Sequence, residues 1–257
     1  MIEFKNIYFI RNGDILIDDV SFKIKDKENW AVLGPNGSGK STIFSMLMAY
    51  TIASKGSIKA FGIGFGKGNW NHVKSKIGIV SSTMDKFNDV LGKETVYEVV
   101  LSGLKNRIGI YEMESDEEKS KTEDFLKEFD FFNYRDKKYG NLSAGEKKKT
   151  MILRSLISKP KLLILDEPCS SLDLYQREQI LKVLEGIENT NLIYITHDIS
   201  EICSKITHVL LLKNGRVLKA GRKKDILTDD NLKELYNLDV NISFGRNQRP
   251  MIEILQK

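Results

Sequence analysis

The sequence has little of what builds disulfide frameworks or metal clusters. Its two cysteines, Cys169 and Cys203, stand apart without metal-ligand spacing, and among 257 residues there are three histidines. A disulfide-stapled scaffold is therefore not expected, and a reducing compartment fits best. Apolar runs are short, none approaching the roughly 20 residues that a bilayer span needs. Met1-Ile2-Glu3-Phe4-Lys5 lacks the charged-then-apolar pattern of a secretory leader. Any work at a membrane is thus expected from the cytosolic side and through a partner. An excess of one charge is missing too. The 40 Lys and Arg against 35 Asp and Glu leave a net charge of +5, dispersed rather than gathered in a basic arm, so nucleic acid is the less expected partner. What is present is a 41% hydrophobic content, enough for the core of one large α/β domain or two small ones.

The rest of the chain is organised around Gly34-Pro35-Asn36-Gly37-Ser38-Gly39-Lys40-Ser41-Thr42, which meets the pattern G-x-x-x-x-G-K-[ST] at every fixed position. The glycines let the backbone turn tightly and bring successive N–H groups against a β-phosphate, while a following helix sets its positive end at the same spot. Lys40 then reaches the β- and γ-phosphates and Ser41 holds Mg²⁺. The flanks agree: Asn29 to Leu33 is a short apolar run, and Ile43, Phe44, Leu47 and Met48 recur at helical spacing behind the loop. The stretch is expected to bind a nucleoside triphosphate.

Before the loop, Val20, Phe22 and Ile24 alternate with polar residues, and Asn12-Gly13 marks a turn, which predicts an antiparallel β region over Ile2 to Lys25. After it, Gly62, Gly64, Gly66 and Gly68 lack the spacing of a second nucleotide loop and read as a mobile surface loop ending at Trp70. A buried strand is expected from Lys76 to Ser82. The middle third is helical, with amphipathic patterns from Glu94 to Leu104 and Ser115 to Phe132. Leu142-Ser143-Ala144-Gly145-Glu146 opens a further helix on a capping box. Leu162 to Leu165 is a continuous apolar run ending in Asp166-Glu167, as a parallel strand covered on both faces should read. Acids at the carboxyl end of such a strand stand where open α/β sheets place their chemistry. A helix from Leu172-Asp173 to about Gly186 follows, then a strand from Leu192 to Thr196 with His197 just beyond it. Val209 to Leu218 forms a hairpin on Asn214-Gly215, and a short helix is expected at Leu232 to Tyr236. Val240 to Leu255 could add a strand or two, without a chemical reading. His72 and His208 are read as ordinary surface or core histidines.

Taken in order, these motifs resemble the nucleotide-binding subunit of ATP-binding-cassette (ABC) ATPases, over nearly the whole chain up to about Asn237. Residues 34 to 42 look like the Walker A motif, Leu142 to Glu146 like the signature, Leu162 to Asp166 with Glu167 like Walker B and the catalytic acid, Ser171-Leu172-Asp173 like the D-loop, and His197 like the switch histidine. The resemblance implies one domain over residues 1–257: an α/β P-loop NTPase core with a mixed sheet, an N-terminal antiparallel β region and an inserted α-helical subdomain at about 83–158, then a tail at 241–257. It also implies ATP and Mg²⁺ as cofactors. Gly34, Asn36, Gly37, Ser38, Gly39, Lys40, Ser41 and Thr42 would hold the phosphates. Ser143, Gly145 and Glu146 would face the γ-phosphate on the other protomer of a head-to-tail sandwich. Asp166 and Ser41 would hold the metal, Glu167 would act as general base, and Lys40 and His197 would stabilise the γ-phosphate. The other protomer is a second copy or a paralogous subunit, the driven machine a separate transmembrane permease, and the location cytoplasmic at the inner face of the membrane.

Several positions depart from that pattern. Ser81-Ser82 stands where the family usually carries Gln, leaving Ser82 as a shorter metal ligand and the relay to a permease in question. Arg11 stands where an aromatic stacks on adenine; a guanidinium can stack on a base, and Tyr8 or Phe9 are weaker alternatives. Ala144, Glu146 and Lys147 to Lys149 alter the signature more mildly. Trp30, Phe61-Gly62, Trp70 and Val80-Ser81-Ser82 together resemble a molybdate-system branch. The alternative to transport is an ABC ATPase without a permease, acting on nucleic acid, the ribosome or a cofactor-assembly complex. An ATP-binding module without turnover is disfavoured by the presence of both Glu167 and His197.

Overall fold

The computed structural model describes residues 1–81, 88–105, 114–245 and 247–255; Ser82 therefore lies outside the described residues. These form two compact units, Met1–Ile77 with Asn191–Lys257, and Gly78–Thr190. The first unit opens with β1 (Ile2–Arg11), β2 (Asp14–Ile24), β3 (Trp30–Leu33), α1 (Lys40–Ser45), β4 (Lys55–Ala60), β5 (Ile63–Gly64) and α2 (Trp70–Lys74). The second unit follows with β6 (Ile77–Val80), α3 (Asn88–Leu91), α4 (Val96–Ser102), α5 (Asp116–Glu128), α6 (Ala144–Leu156), β7 (Leu162–Asp166) and α7 (Leu174–Glu185). The chain then completes the first unit with β8 (Asn191–Thr196), β9 (His208–Lys213), β10 (Arg216–Arg222), α8 (Lys223–Ile226), α9 (Asp229–Tyr236), β11 (Val240–Phe244) and β12 (Pro250–Ile254).

In the first unit, β1 and β2 pair antiparallel across Asn12 and Gly13, whose φ of 53° and 90° suit the right-handed strand twist. Their inward residues build one aromatic cluster. Phe4 stacks on Phe22 at 4.7 Å, and Phe44 of α1 meets Phe4 edge-on at 6.0 Å. With β4 and β5 this sheet runs β2-β1-β4-β5. The unit's other sheet runs β10-β9-β3-β8, with β3 parallel to both neighbours and β10 antiparallel. It is a mixed sheet. Every residue of β3 and β8 is buried, which explains why both read as unbroken apolar runs.

The segment at Gly62 to Trp70 is more regular than its glycines imply. Ile63–Gly64 pairs with β4, and Asn69 caps α2 by accepting from the Asn71 N–H at 3.1 Å. Trp70 fixes that helix: its indole N–H donates to the Leu47 carbonyl at 3.0 Å, and Phe65 meets it edge-on at 4.9 Å. The helix behind the phosphate loop is shorter than its periodicity suggests. Six residues of α1 tighten into a 3₁₀ turn at Met46–Met48, which ends on Ala49 in the left-handed region at φ 57°.

The second unit is built mainly of helices with local starts. Thr95 with Glu98, Ser115 with Glu118 and Ser143 with Glu146 each form a reciprocal capping box, at α4, α5 and α6. Leu162 to Leu165 of β7 are fully buried, and β6 lies beside that strand. Arg154 of α6 is mostly buried and donates through Nε to Ser102 Oγ of α4 at 3.1 Å. At the end of the first unit, the tail without a sequence-level reading forms an antiparallel hairpin in which Val240 pairs with Ile254.

Candidate nucleotide site

The phosphate loop leaves β3 at its carboxyl end, between β8 and β9, and main-chain contacts hold it there. Gly34 passes so close to β9 that a Cβ on it would stand 2.2 Å from the Leu212 carbonyl oxygen. That neighbour is backbone and cannot swing aside. Gly34→Ala is therefore expected to cost about 1–3 kcal/mol of stability by overpacking. Denaturant unfolding checks this, and a variant as stable as the parent would show that the loop does not pack this tightly. Within the loop, the Ser38 N–H donates to the Pro35 carbonyl at 3.2 Å. The Gly215 N–H, from the β9–β10 turn, donates to the Ser38 carbonyl at 3.2 Å, and the Asp18 N–H of β2 donates to Gly215 at 2.9 Å. Gly39 caps α1 at φ 97°, against Ile17, where a side chain would be both strained and blocked.

Lys40 is 5% exposed, and its ammonium donates to the carbonyls of Gly34 at 2.8 Å and Pro35 at 3.0 Å. The cation is thus folded over the loop. Ser38 Oγ is buried with no hydrogen-bond partner among the described residues, an orphaned polar atom inside a loop of backbone amides. A cation, an orphaned hydroxyl and the positive end of a helix fit a polyphosphate. Asn36, Gly37 and Ser41 are exposed, and Thr42 is half-buried. Arg11 ends β1 opposite Asp14 and is exposed; Phe9 pairs in register with Ile17, and Tyr8 with Lys55.

His197, also in the first unit, follows β8 and is exposed. Sequence reasoning missed a residue four positions further on. The Glu201 carboxylate, 6% exposed, accepts from the Tyr194 hydroxyl at 3.0 Å and from Thr196 Oγ1 at 2.6 Å. A glutamate four residues past a histidine at a strand end is too common a pattern to single out. Its burial is what marks it.

In the second unit, Ser143 begins α6. Its Oγ accepts from the Glu146 N–H at 3.3 Å, and Glu146 Oε2 accepts from the Ser143 N–H at 2.7 Å. Burial alone would raise the Glu146 carboxyl, but the Ser143 amide and hydroxyl and the nearby Lys137 outweigh it and hold the group below its usual value. Gly145 is buried in the first turn. Asp166 is the last residue of β7 and half-buried, while Glu167 takes φ 50° and ends the strand in a sharp turn. A non-glycine residue in that region costs roughly 1–2 kcal/mol, and such strain concentrates at functional sites. Asp173 caps α7, accepting from the Gln176 N–H at 2.8 Å.

Among the described residues there is no cluster of three or more metal-ligating side chains, and no helix is long and apolar enough to cross a membrane. The loop, its lysine and the parallel strands around it define a P-loop nucleotide-binding protein. The sequence matches the ABC transporter family over residues 17–170. It is 33% identical to YlmA of Bacillus subtilis, described as an uncharacterized ABC transporter ATP-binding protein, over 98% of this chain and 96% of that one. Identity is 32% to the energy-coupling factor transporter ATP-binding protein EcfA of Carboxydothermus hydrogenoformans, over 91% of this chain and 84% of that one. It is 29% to the zinc uptake system ATP-binding protein ZurA of Listeria innocua, over 95% and 98%. Among solved structures, cbiO1 from Clostridium perfringens, part of the ABC transporter complex cbiONQ, superposes with a TM-score of 0.77 at 28% identity, covering 92% of this chain and 94% of that one. A dimeric ATP-binding cassette bound to ADP and Pi shares the fold at a TM-score of 0.70, 23% identity and 86% and 98% coverage.

The chain belongs to the ABC transporter family, as an ATP-binding subunit that hydrolyses ATP for transport and acts with membrane components. The alternative of an ABC ATPase without a permease loses its ground with this membership. The molybdate-branch likeness is corrected, since the relatives with assigned systems are energy-coupling factor and zinc-uptake ATPases. Two of the residues that carried it, Trp30 and Trp70, serve packing. Trp30 stacks on His208 at 4.9 Å and donates to Glu28 at 3.1 Å, and Trp70 secures α2.

Proposed function

We propose that two ATP-binding domains, this chain with a second copy or a paralogous subunit, close head to tail on two ATP molecules and drive a separate transmembrane permease from the cytoplasmic face. Residues 1–257 act as one ABC ATPase domain, with a helical subdomain at about 83–158 and a tail at 241–257. The observation that carries the reading is the braced phosphate loop, with Lys40 folded over it and Ser38 Oγ left without a partner. Gly34, Asn36, Gly37, Ser38, Gly39 and Thr42 line the polyphosphate, and Arg11 stacks on the base. Lys40 leaves the Gly34 and Pro35 carbonyls for phosphate oxygens. Ser41 and Asp166, with Ser82 outside the described residues, would hold Mg²⁺, which supplies charge neutralisation between the phosphates.

Glu167 takes a proton from the attacking water, and His197 donates a hydrogen bond to the γ-phosphate. Ser143, Gly145 and Glu146 at the start of α6 present amide N–H groups and a helix dipole to the partner's γ-phosphate. Loss of that phosphate on hydrolysis removes the contact across the interface. The test is affinity capture of the tagged Glu167→Gln chain from detergent-solubilised native membranes in Mg-ATP. A polytopic membrane protein in stoichiometric amount is the expected catch; recovery of soluble protein or nucleic acid alone would overturn the permease reading.

A further inference from the structure

The segment that carries His197 is held from two directions. From the core side, the hydrogen bonds form a closed circuit. Thr196 Oγ1 donates to Glu201 at 2.6 Å, the Asp198 N–H donates to Thr196 Oγ1 at 3.0 Å, the Ser200 N–H donates to Asp198 Oδ1 at 2.8 Å, and the Glu201 N–H returns to the Asp198 carbonyl at 3.2 Å. His197 sits between two members of this circuit, with its own side chain exposed. From the other side come the last elements of the chain. Arg249, just ahead of β12, donates through Nε to the Ser200 carbonyl at 2.5 Å, a charge-assisted bond. The Tyr236 hydroxyl at the end of α9 approaches the His197 carbonyl at 3.4 Å. Burial, and after it the Asp198 charge, pushes the Tyr236 phenol up to about 12, so it remains a donor throughout the physiological range. The hairpin and α9 are themselves joined, the Ile242 N–H donating to Asp229 Oδ1 at 2.6 Å.

We propose that Arg249 is a positioning residue for His197, and that the C-terminal hairpin exists in this chain to supply it. The argument follows the geometry. A histidine on a strand-to-turn junction has a side-chain direction set by the main chain on either side, and the circuit ties that main chain back to β8, where Glu201 also accepts from the Tyr194 hydroxyl at 3.0 Å. Arg249 anchors the circuit to a second layer of structure at Ser200, three residues from the histidine. Losing the anchor leaves the fold and the phosphate loop as they are and lets the imidazole drift. Displacement of a reacting group by about 1 Å is enough to slow chemistry up to ~100-fold. The tail thereby acquires a role that its sequence does not announce.

This inference rests on the reading of His197 as the γ-phosphate donor, and the experiment separates the two. Steady-state ATP hydrolysis, KM for ATP and nucleotide affinity are measured on the full chain for Arg249→Met, Arg249→Lys, His197→Ala and the Arg249→Met/His197→Ala double variant, with slow variants followed under single-turnover conditions. Arg249→Met is expected to lower kcat about tenfold, within the range that misplacement allows, while KM and affinity stay within about twofold. Arg249→Lys is expected to restore most of the rate, because its ammonium can still donate to the Ser200 carbonyl. In the His197→Ala background the Arg249→Met change adds no further loss. An unchanged kcat in Arg249→Met, or a full additional loss in the double variant, overturns the proposal. A His197→Ala chain that turns over normally overturns instead the reading of His197. Should Arg249→Met not fold, Tyr236→Phe carries the same test, since it removes only the hydroxyl that faces the His197 carbonyl; its kcat is expected to fall about threefold at constant KM, again with no added loss in His197→Ala.

Discussion

Glu167→Gln is expected to lower steady-state ATP hydrolysis at least ~100-fold and to leave an ATP-bound dimer that survives size-exclusion chromatography. The substitution keeps the shape and hydrogen-bonding reach of the side chain and removes only its ability to take a proton. General-base catalysis is worth roughly 10²–10⁴ in rate, so residual turnover should fall by at least the lower figure. Glu167 holds a left-handed backbone conformation at the end of β7, at φ 50°, and Gln is as able to adopt it as Glu. Folding and nucleotide binding are therefore expected to match the parent. The dimer is the sharper readout. With the γ-phosphate uncleaved, the proposed contact from the start of α6 to the partner's nucleotide would persist. Monomeric Glu167→Gln at saturating Mg-ATP would sink the head-to-tail arrangement while leaving the phosphate loop intact.

Lys40→Ala is expected to lose tight ATP binding. The ammonium is the buried cation of the loop, and hydrogen bonds to charged groups contribute about 1.5–3 kcal/mol each. Loss of its phosphate contacts should weaken affinity by about 10- to 100-fold or more, measured by equilibrium titration with a fluorescent ATP analogue. There is a second consequence. In the resting loop the same ammonium satisfies the carbonyls of Gly34 and Pro35, so the alanine variant also loosens the loop itself. Lys40→Met loses the charge and the carbonyl bonds as Lys40→Ala does but keeps the packing of the aliphatic stem, so it isolates the ammonium from the stem. It should bind ATP as poorly as Lys40→Ala but unfold closer to the parent. Undiminished affinity in Lys40→Met would show that the cation does not meet the phosphates.

Much of this could be read from the residues because the relevant signals are local. The turn at Asn12-Gly13, the capping box at Ser143 and Glu146, the buried run of β7 and the pattern from Gly34 to Thr42 each depend on residues within a few positions of one another. What escaped was long-range or conformational. Nothing near Gly34 in sequence says that Leu212 will lie against it, so the residue reads as a phosphate glycine when it also permits a close backbone crossing. Glu201 looks like a surface acid until its burial with Tyr194 and Thr196 is seen. The glycines from 62 to 68 hid a strand and a capped helix, because Trp70 finds its partner at Leu47 rather than nearby. The tail has weak alternation and no motif, and its contact with Ser200 spans 49 residues.

The placement of β3 between β8 and β9 governs when the molecule can first hold its ligand. Trp30 is in register with both Ile193 and His208, and the loop it leads into is braced by Gly215. On the ribosome, where synthesis runs from the N-terminus at about 5–20 residues per second, the phosphate motif emerges early but waits, without walls, until the last quarter of the chain arrives. ATP is therefore expected not to stabilise a nascent or truncated polypeptide that ends before Gly215. Ligand-linked stabilisation begins only once β8, β9 and that turn are in place, and a cell's quality control sees every shorter chain as apo.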